Sequence, residues 1–249
     1  MSSLDTVLAE IEDDLIEVPA GTTVIGSTLE IVDAELAAAD MHGVRREWLL
    51  KEVPRHAVSL PTFWIGRVPL TVRQVDVLAG PAGIGPPRGS GPDHPATLGV
   101  EEWFTLCRTL SEMLGRPVAP PTEEQWVRAA RGDDERIYPW GDVWQEGLAN
   151  MGASSLGDTC PVGRYPAGRS AFGLLDMAGN ADELTRTRYA PFPGAPAEVP
   201  LVEDWAYSPY VTKGGGYMHA RDLARCDRRH GIYAKGEPLA LRVVVEHPR

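Results

Sequence analysis

Leu4, Val7, Leu8, Ile11 and Leu15 recur at three- and four-residue spacing and predict a short amphipathic helix with an acidic outer face. Leu15–Ile25 (LIEVPAGTTVI) then reads as strand, Pro-Ala-Gly turn, strand. Residues 27–50 predict an inserted, partly helical segment with no evident chemistry. Alternation at His56, Val58 and Leu60, followed by Phe63-Trp64-Ile65, predicts two strands, the second buried. Residues 79–95 are so rich in Gly and Pro that they read as loop. Trp103, Leu106, Cys107, Leu110 and Leu114 form one stripe, predicting a helix over Glu101–Leu114 with two glutamates at its positive end. Thr122 and Gln125 make a capping box for a second helix, with Trp126, Ala129 and Ala130 inward and Gly132 as its stop. Beyond Gly132 the pattern is of short strands and turns. No repeat and no linker interrupts it, so we expect an acidic extension over residues 1–16 and one domain over 17–249.

Composition adds limits. The net charge is −11, and residues 1–50 hold eleven carboxylates against Arg45 and Arg46. Such a chain is a poor candidate for non-specific nucleic-acid binding, which needs clustered cations. Lys213–Lys235 reverses the balance, with six basic groups against two acidic ones. That patch suits either an anionic ligand or internal pairing with the acidic N-terminus. Three cysteines, Cys107, Cys160 and Cys226, show no paired metal-ligand spacing. The first residues lack both a basic stretch and an apolar core, and no apolar run approaches eighteen residues. The expectation is a cytoplasmic protein that binds no membrane.

The segment Lys213–His230, KGGGYMHARDLARCDRRH, concentrates the candidate chemistry. Three glycines permit a tight turn or a close backbone approach. Behind them, Tyr217, His219, Arg221, Asp222, Arg225, Asp227 and Arg228 are candidate ligand contacts. Guanidinium groups supply forked donors for carboxylate or phosphate, and ion pairs within the chain are the competing reading. His219, Cys226 and His230 are candidate catalytic groups. Neighbouring arginines could favour a Cys226 thiolate, but no local signature supports acyl chemistry and an inert or weakly reactive thiol is the expectation. On an extended strand His219 and His230 would lie far apart, although a loop could reunite them.

Several motifs are specific. PPTEEQWVRAARG (120–132), YPWGD (138–142), PVGRYPAGRSAFGLLDMAGNADELT (161–185) and KGGGYM (213–218) resemble the signature of the formylglycine-generating enzyme family. Glu17–Gly26 and EVPRHAVSLPTFWIG (52–66) match its opening strands in outline. The resemblance implies an α+β, loop-rich variant of the C-type-lectin-like fold with little regular secondary structure and with bound calcium. It places Asp176, Gly179, Ala181 and Glu183 as calcium ligands, hard oxygens on a Gly-containing turn. Asn150, Met151 and Asp158 would form a second, shorter-spaced calcium set.

The same resemblance marks a loss. The family's catalytic members use two cysteines to bind copper(I), and soft thiolates suit that ion. Here the two positions hold His219 and Ala224, so formylglycine generation is not expected. An aromatic of the family's N-V-W-E-W motif has become Asp182, and its terminal G-F-R is Ala240-Leu241-Arg242. Two functions fit this rewritten pocket. The first is recognition of a peptide, protein or small polar ligand without catalysis. The alternative is a metal- or oxygen-dependent oxidoreductase of secondary metabolism. A transition-metal site would need His219 and His230, or Asp222 or Asp227, to converge.

Overall fold

Two strands that follow one another in the chain go to different sheets. In this computed structural model, which describes residues 3–38, 44–152, 155–199, 208–232 and 239–246, β1 (Leu15–Val18) pairs antiparallel with β4 (Phe63–Gly66). Its neighbour β2 (Gly21–Ile25) pairs with β3 (His56–Leu60). The β4 edge continues through β9 (Val244–Val245) to β5 (Val118–Ala119), giving a four-stranded sheet in the order β1-β4-β9-β5. A third sheet joins β6 (Glu183–Arg188), β7 (Ser208–Lys213) and β8 (His230–Ile232) in that order.

The helices precede this third sheet. α1 (Ser3–Asp13) buries Val7 and Ile11 in a core that also holds Leu78, Trp103 and Leu241. The N-terminal helix is therefore packed into the domain. Its outer carboxylates are paired as well, Glu10 with Arg73 and Glu12 with Arg116. α2 (Leu29–Ala37) and α3 (Arg46–Leu50) fill the inserted segment and bury Val32, Leu49 and Leu50 in a cluster of their own. α5 (Val100–Leu114) buries the predicted stripe, Cys107 included.

One reading needs correction. The Gly/Pro-rich stretch over residues 79–95 does not begin as loop, because α4 (Val72–Ala82) runs into its first four residues. Thr71 accepts from the Gln74 N–H, and the Gln74 side chain accepts from the Thr71 N–H, so a capping box starts the helix. Gly80 and Pro81 occupy only its last turn, and Gly83, at φ 65°, ends it.

α6 (Glu123–Arg131) has the predicted cap, with Thr122 accepting from Gln125 N at 3.1 Å. It is buried on every side rather than on one. Arg128 and Arg131 spend their donors on the carbonyls of Pro19, Val24 and Arg136. Trp126 donates to Glu183 at 2.8 Å. Arg242 meets the same carboxylate with a fork, Nε to Oε2 at 2.7 Å and Nη2 to Oε1 at 2.6 Å. Its remaining donors reach the carbonyls of Gly66, Arg67 and Leu175. Glu183 and Arg242 are both excluded from solvent.

Removing one partner of such a pair strands the other charge in low dielectric. Arg242→Met is expected to cost about 3–5 kcal/mol in urea unfolding. Adding Glu183→Gln to it should recover part of that loss, since the stranded carboxylate is then gone.

Candidate functional site

Gly214 and Gly215 set the geometry of the C-terminal segment. Both have positive φ, 86° and 67°. A Cβ on Gly215 would stand 2.7 Å from the Leu223 Cβ, and one on Gly214 would press on Trp126 and the Met177 carbonyl. The chain therefore turns sharply out of β7. A one-turn 3-10 helix over Arg221–Ala224 returns it, and β8 begins at His230.

This return reunites the two histidines. The rings of His219 and His230 stand edge to face with centroids 5.0 Å apart. His230 Nδ1 lies 2.6 Å from Asp182 Oδ2, and the Thr212 hydroxyl donates to the same oxygen at 2.9 Å. A carboxylate accepts, so His230 carries a proton on Nδ1. The Gly216 N–H donates to His219 Nδ1 at 2.8 Å, so neutral His219 keeps its proton on Nε2. Burial works to raise the Asp182 pKa, but the charge and hydrogen bond of His230, the nearby His219 and the Thr212 hydroxyl outweigh it. Asp182 is held below the usual carboxylate range.

Asp182 belongs to the site and was not among the sequence candidates. Its signal was a coincidence of two replacements. An aromatic of the family motif becomes Asp182 where a catalytic cysteine becomes His219, and the two replacements end in one cluster. Asn180 is a second missed residue. It accepts the Cys160 N–H at 2.8 Å, and its own N–H bonds the Asn150 carbonyl, tying three loops beneath the histidines.

The other predicted contacts divide. Tyr217 is half-buried beside His219, its N–H donating to the Asn180 carbonyl at 3.2 Å. Arg221 donates to the Tyr138 hydroxyl at 2.5 Å. Asp222, Arg225 and Arg228 are buried, so they do not form an open ligand face. Arg225 donates to Glu52 at 2.6 Å, and Arg228 to Asp222 at 3.1 Å. Asp227 takes the Gly26 N–H at 2.9 Å and pairs with Arg131. Arg229 forks onto Glu123 and stacks on Phe192. The basic patch is thus largely paired internally, with glutamates beyond residue 50 as its main partners.

Cys226 is fully buried, and desolvation pushes its thiol up to about 12 despite Arg131. Burial outweighs the neighbouring cations, in line with the inert thiol that the sequence favours over a thiolate. Ala224, at the second copper-cysteine position, is packed in the core with Leu223, Met151 and Tyr138.

The calcium residues also divide. Asp176, at φ 54°, holds the Gly163 N–H at 2.6 Å, and burial raises its carboxyl to about 6. The calcium set that the resemblance implies would add the Gly179 and Ala181 carbonyls to this carboxylate. Glu183 is less available, being forked by Arg242. The second set is not gathered. Asn150 bonds the backbone carbonyl of Asp158, while the Asp158 carboxylate turns to Ser90 and the Thr159 N–H. Met151 would contribute its backbone carbonyl, and its side chain is buried in the core.

The two imidazoles do not make a transition-metal centre alone. Asp182 is committed to His230, and among the described residues no group of three or more His, Cys, Asp or Glu could hold an ion. Nor, among them, is any helix long and apolar enough to cross a membrane.

Comparison with known proteins agrees with the motifs. The model of the sulfatase-modifying factor enzyme 1-like domain matches residues 5–246, and the chain belongs to this family. It is similar to hercynine oxygenase of Mycolicibacterium thermoresistibile, at 30% identity over 215 residues, covering 70% of this chain and 48% of that protein. The formylglycine-generating enzyme of Mycobacterium tuberculosis is 36% identical over 121 residues, 40% of each chain. The chain spans about half the length of the hercynine oxygenases it matches. Among solved structures, PvdO from Pseudomonas aeruginosa superposes with a TM-score of 0.70 at 22% identity, over 94% of both chains. The α+β architecture is that of the family.

Because Asp182 is depressed in the folded state, its contribution is complete above the ordinary carboxylate range and lost as pH falls through its own lower value. The stability difference between wild type and Asp182→Asn should be largest at neutral pH. It should shrink below about pH 4 in urea unfolding series.

Proposed function

We propose that the chain recognises a peptide or small polar ligand through the face carrying Tyr217, His219 and His230. The observation behind this reading is the buried Asp182–His230 pair standing against His219. It presents two oriented imidazoles at the place where the family's copper chemistry has been lost. Asp182 fixes the tautomer of His230 and the Gly216 N–H that of His219, so in the neutral rings Nε2 of His230 is acceptor-type and Nε2–H of His219 donor-type. Neighbouring acceptor and donor suit a polar group such as an amide or a carboxylic acid.

A second reading, an oxidoreductase, draws on the same pair. A buried carboxylate behind an imidazole steadies a proton on it, which acid–base steps in oxidation require. Similarity to proteins named hercynine oxygenase supports this reading. Any redox metal would need donors beyond His219 and His230, so no step is assigned to one.

Titration with hercynine and a panel of short peptides, following the His219 and His230 ring signals by NMR, separates these readings. Saturable shifts that weaken at least tenfold in His219→Ala are expected. Stoichiometric iron or copper after loading, lost in His219→Ala, would overturn the recognition reading in favour of the oxidoreductase.

Calcium at Asp176 and the Gly179 and Ala181 carbonyls is the structural part of the proposal. Calcium at about one hundred times its Kd should stabilise the protein by roughly 2.7 kcal/mol. Chelator should reverse the gain, and Asp176→Asn should abolish it in thermal melts.

A further inference from the structure

A cleft of about 140 Å³ opens between α2, α6 and the irregular segment following the 3-10 turn, with Ser27, Ile31, Glu35, Ile137 and Arg225 in its lining. Its volume equals that of about five waters. Arg55 and Glu135 form an exposed ion pair at its rim, and Arg131 with Asp227 a buried one within. Those four charges are matched. What remains is unusual. Among the described residues, seven buried side-chain atoms lack a hydrogen-bond partner, and three of them, Ser27 Oγ, Glu35 Oε2 and Arg225 Nε, belong to residues of this lining. A fourth, Glu52 Oε2, belongs to the glutamate that Arg225 grips through its Nη2.

Buried polar atoms without partners are costly to the folded state. Several around one cleft therefore point to something that completes them. Arg225 Nε and Glu35 Oε2 are 3.9 Å apart, too far for a direct hydrogen bond. A single atom set against both would have to accept from the guanidinium and donate to the carboxylate. A protonated amine only donates, and it would sit against the Arg225 cation. A carboxylate only accepts, and it would face Glu35. A hydroxyl does both, and Ser27 Oγ can take either role toward a second hydroxyl. Ile31 and Ile137 supply apolar wall for the carbon between.

We propose that this cleft is a binding site for a small neutral polyol, of about tetritol size, held by Glu35, Arg225 and Ser27. Its lining includes neither His219 nor His230, and the proposal does not depend on the reading of that face.

Erythritol is the probe, with ethanolamine and acetate as charged controls of similar size. In NMR titration of the whole chain, erythritol should shift the Gly26 and Ser27 amides and the Arg225 Nε–H signal saturably. Glu35→Ala and Ser27→Ala should each weaken the response at least fivefold, and both controls should bind at least fivefold more weakly than erythritol. Should either variant fail to fold, the other still decides, and a crystal soaked in erythritol gives an independent reading. Ordered water alone in the cleft, unchanged binding in a folded variant, or a charged control binding as well as erythritol would overturn the proposal.

Discussion

Glu183 receives two hydrogen bonds from the Arg242 fork and one from Trp126, all in the dry interior. Its position at the start of β6 joins three parts of the chain that share no sequence neighbourhood. Trp126 brings α6. Arg242 brings the C-terminal strand and, through the carbonyls of Gly66 and Leu175, the β4 edge and the turn before Asp176. The adjacent residue, Asp182, then points into the third sheet and meets His230. A carboxylate buried at such cost is tolerable only because all its partners are charged or strong donors. The histidine pair thus hangs from the same peptide segment that locks the core.

The same economy governs the arginines. Arg225, Arg228 and Arg229 lie on a short, irregular return between a 3-10 turn and a three-residue strand. Little backbone pairing holds that return, so side chains do the work. Each guanidinium bonds carbonyls or carboxylates from distant segments, including Lys51, Glu52 and Glu123. Ionic contacts of this kind have direction, which apolar packing lacks. They fix how the loop leaves the core and therefore where His219 stands.

How much of this was legible varied with the range of the interaction. Local chemistry read well: the Thr122–Gln125 cap, the Trp103–Leu114 stripe and the Gly132 stop depend on residues a few positions apart. The α4 helix was missed because Gly80 and Pro81 dominate the composition, while the Thr71–Gln74 cap that starts it is a quieter sign. The site was harder. A run such as Arg225–Cys226–Asp227–Arg228–Arg229 looks like a solvated, reactive face when its counterions are unknown. Glu52 and Glu123 lie more than one hundred residues away, and only the fold shows that they neutralise the run and bury Cys226. The approach of His219 to His230 rests likewise on a turn whose path no periodicity announces. The family motifs located the segment, but its charges changed meaning once their partners were in view.

The sharp turn at Gly214–Gly215 has a consequence for how such a domain diversifies. Between that turn and the buried arginines, Tyr217, Met218, His219 and Ala220 form a short displayed stretch, with Met218 77% exposed. Its two ends are anchored by glycine geometry and by ion pairs that do not involve the displayed side chains. Evolution can therefore exchange the middle of this stretch while the anchors keep its backbone path. Exchange at Met218 or Ala220 is then expected to cost little stability, and new specificities are accessible within a few substitutions of one another.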